Sequence, residues 1–316
     1  MRAIAIDKFG KGDVLKLKEV PTPVPGDDEV LIKVAYAGVN PVDWKIRVGM
    51  LAKRLPCEFP LIPGWDAAGT IAKCGKNVTK WREGDEVYSY CRKPTIQWGT
   101  YAEYVAVPHD FPARKPKNLS FRDAAAVPLA ALTAWQSLFE AIHLKKRESI
   151  LIHAGAGGVG SFAIQFARWA GAQVVTTASS KNHGYVRELG AEHAIDYTKG
   201  DFATPLREIY PDGVDAVYDC VGGDVFSKSY PCLKKGGRIN TIATQLDPEL
   251  DKKYGVTGTY TFVRPNGSQL KEIADLIQKG AIRSPALQEY RLEEAAKAHA
   301  ALETLHTRGK IVLRVS

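Results

Sequence analysis

The 316-residue chain lacks any apolar run approaching the roughly 18 residues that a membrane helix requires. Its first ten residues, MRAIAIDKFG, do not contain the long apolar core of a signal peptide. Internal repeats and low-complexity tracts are also absent. With 45% hydrophobic and 25% charged residues, the composition is that of a globular protein large enough for two domains. We therefore expect a soluble, cytoplasmic protein.

Cysteine is scarce and widely spaced. The five cysteines are odd in number, and no two of them form a C-x-x-C pair. This pattern indicates neither a disulfide framework nor a cysteine-rich zinc lobe.

Positive charge is in excess, with a formal net charge of +8. The basic residues are scattered, and the densest cluster, Lys145-Lys146-Arg147, is followed at once by Glu148. A nucleic-acid site would show a concentrated basic patch. The charge therefore indicates an ordinary basic surface that helps to attract an anionic cofactor, and no nucleic-acid partner is expected.

A glycine-rich segment stands in the middle of the chain. The apolar run Ser149–Ala154 predicts a strand buried on both faces of a parallel sheet. The residues after it, GAGGVG, fit G-x-G-x-x-G and lead into a helical pattern and a second strand at Gln173–Ala178. In such a β-α-β unit a pyrophosphate meets free N–H groups at the helix N-terminus, whereas a glycine-rich turn in another α/β protein lacks this context. We predict a dinucleotide site that includes Gly155, Gly157, Gly158 and Val159.

The end of the second strand indicates which dinucleotide binds. An NAD site usually has Asp or Glu about 20 residues beyond the glycines, but Thr177-Ala178 occupies that position here. A carboxylate would repel a 2′-phosphate, whereas hydroxyl and ammonium groups bind one. We therefore predict NADPH as the cofactor, although an ordinary polar turn with a solvated lysine is the alternative. The predicted 2′-phosphate residues are Ser179, Ser180, Lys181, Asn182 and Tyr197.

The sequence pattern before residue 120 differs from the pattern after it. Short strands between glycine and proline turns, such as Glu29–Gly38, predict a partly open antiparallel barrel over roughly residues 1–115. After Ser120, helices alternate with buried strands such as Val214–Val221, which predicts a doubly wound parallel sheet. A last strand at Ile311–Val315 is expected to return to the first domain.

Several motifs, in order along the chain, resemble those of the medium-chain dehydrogenase/reductase superfamily, and within it the zinc-free quinone oxidoreductase and enone (alkenal) reductase branch. The motifs are AGVNPVDWK at 37–45, PGWDAAG at 63–69, GDEV at 84–87, GTYAEY at 99–104, LTAW at 132–135, the glycine loop and GKIV at 309–312. The resemblance implies an α/β fold with a GroES-like, partly open β-barrel catalytic domain at residues 1–118. It also implies a Rossmann NADPH-binding domain at 119–262 and a C-terminal segment, 263–316, that returns to the first domain. A homodimer is a further expectation from the family.

The resemblance also bears on metal use. The zinc-dependent alcohol dehydrogenases of this superfamily have a ligand Cys after the first Ala-Gly-Val and a Gly-His-Glu later, but this chain has Asn40 and Gly64-Trp65-Asp66. A catalytic zinc needs three Cys, His or carboxylate ligands, so no metal is expected. The resemblance then implies hydride transfer from NADPH to a quinone or to the β-carbon of an enone. The loop Arg47-Val48-Gly49 lacks the tyrosine that follows it in some quinone reductases, which favours the enone and alkenal reductases.

Residue roles follow from the same resemblance. Lys45 and Thr133 would face the cofactor, and Asn40 or Lys45 would donate to the acceptor's carbonyl oxygen, with Asp43 orienting Lys45. The alternatives are a turn residue for Asn40 and a helix cap for Asp43. A catalytically silent NADPH-binding sensor is the alternative function. The residues expected along the nicotinamide are Ile242, Phe262 and Val263, with Lys310 at the far end.

Overall fold

The computed structural model of the protein describes all residues from 1 to 316. The chain forms two compact units: the first contains Met1–Leu132 and Arg264–Ser316, and the second contains Thr133–Val263. The first unit therefore extends beyond residue 118, where the sequence places its end. It does so because residues after 118 are bonded to it; the Leu129 N–H, for example, donates a 2.7 Å hydrogen bond to the carboxylate of Asp66.

The regular structure comprises seventeen strands and ten α-helices. Strands β1 to β17 span Arg2–Ala5, Lys16–Glu19, Glu29–Val39, Cys57–Ile62, Asp66–Cys74, Glu86–Tyr90, Ile96–Trp98, Tyr104–Pro108, Ala113–Arg114, Ser149–Ile152, Gln173–Thr177, His193–Ile195, Val214–Asp219, Leu233–Thr241, Thr257–Tyr260, Leu287–Arg291 and Lys310–Arg314. Helices α1 to α10 span Pro41–Arg47, Phe121–Ala124, Pro128–Trp135, Gly158–Trp169, His183–Leu189, Ala203–Ile209, Asp224–Ser229, Pro248–Tyr254, Gly267–Gln278 and Ala295–Glu303. None of these helices has the length and apolarity needed to span a bilayer.

The first unit is built on a seven-stranded sheet in the order β16-β17-β3-β5-β6-β9, with β8 also paired to β3. Strand β3 pairs antiparallel with β5, β8 and β17. Val30, Ile32 and Val34 alternate along β3 and are fully buried, which is the period-two pattern of a strand with one face in the core. Because β17 lies beside β3, the end of the chain joins the sheet of the first unit. This architecture confirms the predicted GroES-like domain.

The second unit is a six-stranded sheet in the order β12-β11-β10-β13-β14-β15. All of its strand pairs are parallel. Its core contains the fully buried side chains of Leu151, Val175, Val217 and Ile239, one from each of four neighbouring strands. Because helices connect most consecutive strands, the unit confirms the predicted Rossmann fold.

A proline stands at the start of one helix of the chain. Helix α3 begins at Pro128 and continues after Trp135 as a π-helix, Gln136–Ala141. Proline is favoured in the first turn of a helix, so it starts this one.

Candidate active site

The glycine loop lies between β10 and α4. Helix α4 begins at Gly158 with Gly157 as its N-cap, and the first N–H groups of a helix have no acceptor within it. A Cβ on Gly155 would lie 2.0 Å from Thr176 Oγ1, and one on Gly160 would lie 2.3 Å from the Ala154 carbonyl oxygen. Both positions therefore require glycine. The loop has the close backbone approach and the free donors that fit a pyrophosphate.

Thr177, at the end of β11, has its hydroxyl bonded to the glycine loop. The Ala154 N–H donates to Thr177 Oγ1 (3.1 Å), which also lies 3.2 Å from Nδ1 of His153. The other ring nitrogen of His153 lies 2.9 Å from Ser229 Oγ, whose own proton goes to the Val225 carbonyl. His153 Nε2 must therefore carry the ring proton, and Thr177 donates to Nδ1. Burial lowers the pKa of His153 to about 4, so the ring is neutral.

The turn after β11 presents the predicted 2′-phosphate residues. Residues Ser180–Asn182 form a 3-10 helix, in which Asn182 donates to Ser179 Oγ (3.2 Å). The side chain of Lys181 is exposed, and Tyr197 is 47% exposed. The Ser180 N–H donates to the carboxylate of Asp196 (3.2 Å), a residue that the sequence did not indicate. Hydrogen bonds from Thr198 and Ser180 lower the pKa of Asp196.

Three of the residues expected along the nicotinamide lie at the carboxyl edge of the parallel sheet. Ile242 follows the last residue of β14, and its N–H donates to the Asp219 carbonyl (3.2 Å). Phe262, 45% exposed, and the buried Val263 follow the end of β15. Since the glycine loop follows the carboxyl end of β10, all of these segments share one edge of the sheet. Thr133 is buried in α3 at the start of the second unit.

Asn40 precedes α1 and is 1% exposed. Its amide nitrogen donates to Asp66 Oδ2 (2.8 Å), and its amide oxygen accepts from the Lys310 ammonium. Lys310, 4% exposed, also donates to the Val39 carbonyl (3.1 Å) and lies 3.3 Å from Asp66. All three protons of the ammonium therefore have acceptors within the first unit. Both ends of the Asn40 amide are used in this cluster as well.

Asp43 lies at the third position of α1 and is fully buried. Its Oδ2 accepts from the Asn40 N–H (2.8 Å) and from the Tyr101 hydroxyl (3.0 Å). Asp43 thus closes the N-terminus of α1, which is the cap role that the sequence left open. Burial raises the pKa of Asp43 to about 7, against the effect of these hydrogen bonds and of Lys310.

Lys45 belongs to the same helix as Asp43 but lies two positions further on. Residues at i and i+2 do not face each other on a helix, and no hydrogen bond or ion pair joins the two side chains. The Lys45 side chain is half-buried, and its ammonium lies 5.8 Å from the centre of the Trp44 ring. Burial lowers the pKa of Lys45. Of the three candidate catalytic residues, Lys45 is the one whose polar group is not bonded within the unit.

Sequence reasoning did not link Asp43 to the side chains that surround it. Tyr101 contacts His299, which contacts Arg47, and these residues come from distant parts of the chain. His299 lies 252 positions after Arg47, so no local pattern could have linked them.

Comparisons with known proteins agree with this architecture. Residues 26–117 match the alcohol dehydrogenase GroES-like domain, and residues 189–313 match the family described as zinc-binding dehydrogenase. The chain is 37% identical to the 2-methylene-furan-3-one reductase of Solanum lycopersicum, and 36% identical to the chloroplastic NADPH-dependent alkenal/one oxidoreductase of Arabidopsis thaliana. Each alignment covers 99% of this chain and 79% of the relative.

A solved structure has the same architecture. The quinone oxidoreductase from Coxiella burnetii superposes with a TM-score of 0.90 at 37% identity, over 100% of this chain and 99% of that one. The two units and the glycine loop are thus those of an oxidoreductase of the dehydrogenase type. The chain belongs to the medium-chain dehydrogenase/reductase superfamily, and its relatives include quinone oxidoreductases and alkenal reductases.

The zinc in the description of the matched family can be tested against the residues present here. No group of three or more His, Cys, Asp or Glu side chains is placed to hold a metal ion. At the positions discussed above, Asn40 and Asp66 are bonded to the Lys310 ammonium, and Trp65 packs against Tyr90 with ring centres 6.0 Å apart. Because an ammonium already bonds these oxygens, the donor set does not fit a zinc ion.

Proposed function

We propose that the protein is an NADPH-dependent, zinc-independent oxidoreductase that transfers hydride to a quinone or to the β-carbon of an α,β-unsaturated carbonyl. The observation that supports this most directly is the turn after β11. Thr177 stands where an NAD site has a carboxylate, and the exposed Lys181 and Tyr197 follow. Two relatives are similar over nearly the whole chain, one named a 2-methylene-furan-3-one reductase and the other an NADPH-dependent alkenal/one oxidoreductase.

The residues that would hold NADPH come from the second unit. The N–H groups at the start of α4 would bind the pyrophosphate, and Ser179, Lys181 and Tyr197 would bind the 2′-phosphate. Ile242, Phe262 and Val263 would pack against the nicotinamide. NADPH, when bound, supplies the hydride, and the protein supplies binding and orientation.

Lys45 is our candidate for the group that stabilises negative charge on the acceptor's carbonyl oxygen. Its side chain is half-buried, and its lowered pKa means that it gives up a proton more readily than an exposed lysine. Loss of one such donor costs roughly 3–4 kcal/mol in enzymes where it has been measured. Asn40 is less suited to this role, because its amide already bonds Asp66 and Lys310.

A panel assay tests the proposal. NADPH oxidation, followed by absorbance, would be measured with benzoquinone, a short vinyl ketone and several alkenals. We expect turnover with at least one of them, and the preferred acceptor separates quinone from enone reduction. NADPH binding without oxidation of any acceptor would instead support a catalytically silent sensor.

Two further predictions need separate measurements. We propose a homodimer, to be tested by light scattering on the purified protein. We also propose a cytoplasmic location, although several relatives are named as chloroplastic or mitochondrial proteins. Cell fractionation would decide this second question.

A further inference from the structure

Four buried side chains form a line of contacts inside the first unit. Arg47 Nη1 lies 3.3 Å from His299 Nδ1, His299 Nε2 lies 3.2 Å from the Tyr101 hydroxyl, and that hydroxyl lies 3.0 Å from Asp43 Oδ2. Arg47 is 3% exposed and the other three are fully buried. At its outer end Arg47 also donates to the partly exposed Glu303 (2.7 Å). We name this line the Arg47–Asp43 chain.

The hydrogen bonds of the Arg47–Asp43 chain can run in only one direction. A guanidinium donates and never accepts, so His299 Nδ1 must accept from Arg47. Burial and the neighbouring Arg47 cation lower the pKa of His299 to about 3, so the ring is neutral and its single proton must be on Nε2. His299 then donates to the Tyr101 oxygen, and Tyr101 donates to Asp43. The reverse direction would place two protons between Arg47 and His299.

The Arg47–Asp43 chain ends at Asp43 Oδ2, the atom that fixes the start of α1. Asp43 Oδ2 accepts from both Tyr101 and the Asn40 N–H, whereas Oδ1 is buried without a partner. Helix α1 has only seven residues, and a helix of that length is not stable without support from its surroundings. Charged groups of two other strands also face Asp43, since Lys310 and Asp66 both influence it electrostatically.

We propose that His299 and Tyr101 are positioning residues for the reaction. They deliver a fixed hydrogen bond to Asp43, which holds the N-terminus of α1 and thereby the Lys45 side chain on that helix. This inference rests on the function proposed above. Arg47 fixes the tautomer of His299 by donating to Nδ1. Without that hydrogen bond, the imidazole proton could occupy Nδ1 instead of Nε2.

Tyr101→Phe is the central variant, because it removes both the donor to Asp43 and the acceptor for His299. Tyr88→Phe is its matched control. Tyr88 is a fully buried phenol of the same unit, and it donates to the Leu270 carbonyl and not to any member of the Arg47–Asp43 chain. We expect Tyr101→Phe to reduce kcat with the preferred acceptor by about tenfold, since a buried hydrogen bond to the Asp43 carboxyl group is lost. Tyr88→Phe should leave kcat unchanged. Amide exchange in α1 should accelerate in Tyr101→Phe only.

Two histidine variants separate positioning from packing. His299→Gln can still place a donor near Tyr101, whereas His299→Leu cannot, so the Gln variant should recover part of the kcat that the Leu variant loses. In the wild-type protein, the ¹⁵N NMR signals of His299 should report a neutral ring protonated at Nε2. A ring protonated at Nδ1, or equal exchange and kcat in Tyr101→Phe and Tyr88→Phe, would overturn the inference. If the wild type reduces no acceptor, the proposed function fails. The NMR and exchange measurements still decide whether the Arg47–Asp43 chain holds α1.

Discussion

At the scale of single residues, Lys181 offers the most direct test of cofactor choice. Its ammonium is exposed in the turn after β11. A charge-assisted bond to a phosphate is worth about 1.5–3 kcal/mol, so Lys181→Ala should weaken NADPH binding by roughly tenfold to a hundredfold and leave NADH unaffected. Titration calorimetry with both nucleotides would measure this, with Lys228→Ala on α7 as an exposed control. Unchanged affinity for both nucleotides would show that the 2′-phosphate lies elsewhere.

Asp196 introduces an opposing charge at the same turn. Its carboxylate accepts from the Ser180 N–H, close to where the proposed phosphate would bind. Asp196→Asn keeps an acceptor oxygen for Ser180 but removes the negative charge. We therefore expect NADPH affinity to rise by about twofold to fivefold at low salt, an effect that salt should screen. Binding titrations at two ionic strengths would check it, and a fall in NADPH affinity would contradict it.

Asp43 should link stability to pH. Its pKa is raised from 3.8 to about 7, so between these values the folded protein keeps a proton that the unfolded chain has lost. The contribution of Asp43 to the free energy of unfolding therefore falls as pH rises from about 4 to about 7, by at most a few kcal/mol at about 1.4 kcal/mol per pKa unit. The lowered pKa of His299, about 3, acts in the opposite direction between about pH 3 and 6.5.

Asp43→Asn would separate these two contributions. The variant keeps the neutral side chain at all pH values, so its stability should rise more steeply with pH than that of the wild type between pH 4 and 7. Urea unfolding at a series of pH values measures the difference. Parallel curves for the two proteins would mean that Asp43 has an ordinary pKa in the folded state.

At the scale of elements, the parts of the site that could be predicted are those with local causes. The glycine loop could be predicted because strand, glycines and helix follow one another directly in the sequence. The start of α1 could also be predicted, since Pro41 suits a first turn and Asp43 a cap. The partners of Asp43 and Asn40 could not, because Tyr101 and Lys310 lie 58 and 270 positions away.

The glycine loop leads to a prediction about NADPH binding. Gly155→Ala places a Cβ 2.0 Å from Thr176 Oγ1, so β11 or the loop must shift and NADPH binding should be largely lost. Gly184→Ala is the matched control, since a Cβ there meets nothing within 4 Å on the exposed side of α5. That control should raise stability by up to about 1 kcal/mol. Thermal melts and NADPH titrations of both variants measure the contrast, and normal NADPH binding by Gly155→Ala would contradict it.

At the scale of the whole molecule, the order of elements predicts the two folds but not where the units divide. A barrel followed by alternating strands and helices is visible in the sequence, because hydrophobic periodicity changes near residue 120. The division falls later, after Leu132, because it depends on tertiary hydrogen bonds such as that from Leu129 to Asp66. The pairing of β17 with β3 is also long-range. The local sequence indicates only that these residues form strands.

The buried Lys310 leads to a prediction about metal dependence. Its ammonium bonds Asn40 and Asp66, so we expect activity and the melting temperature to remain unchanged after chelation and dialysis, with no stoichiometric zinc in the purified protein. The same pair should be sensitive to mutation: Lys310→Met leaves the fully buried Asp66 without its counter-charge, which typically costs about 3–5 kcal/mol. Metal analysis, melting curves and the acceptor assay measure these effects together. Activity that disappears on chelation and returns with zinc would mean that a metal, and not the ammonium, completes this cluster in the working enzyme.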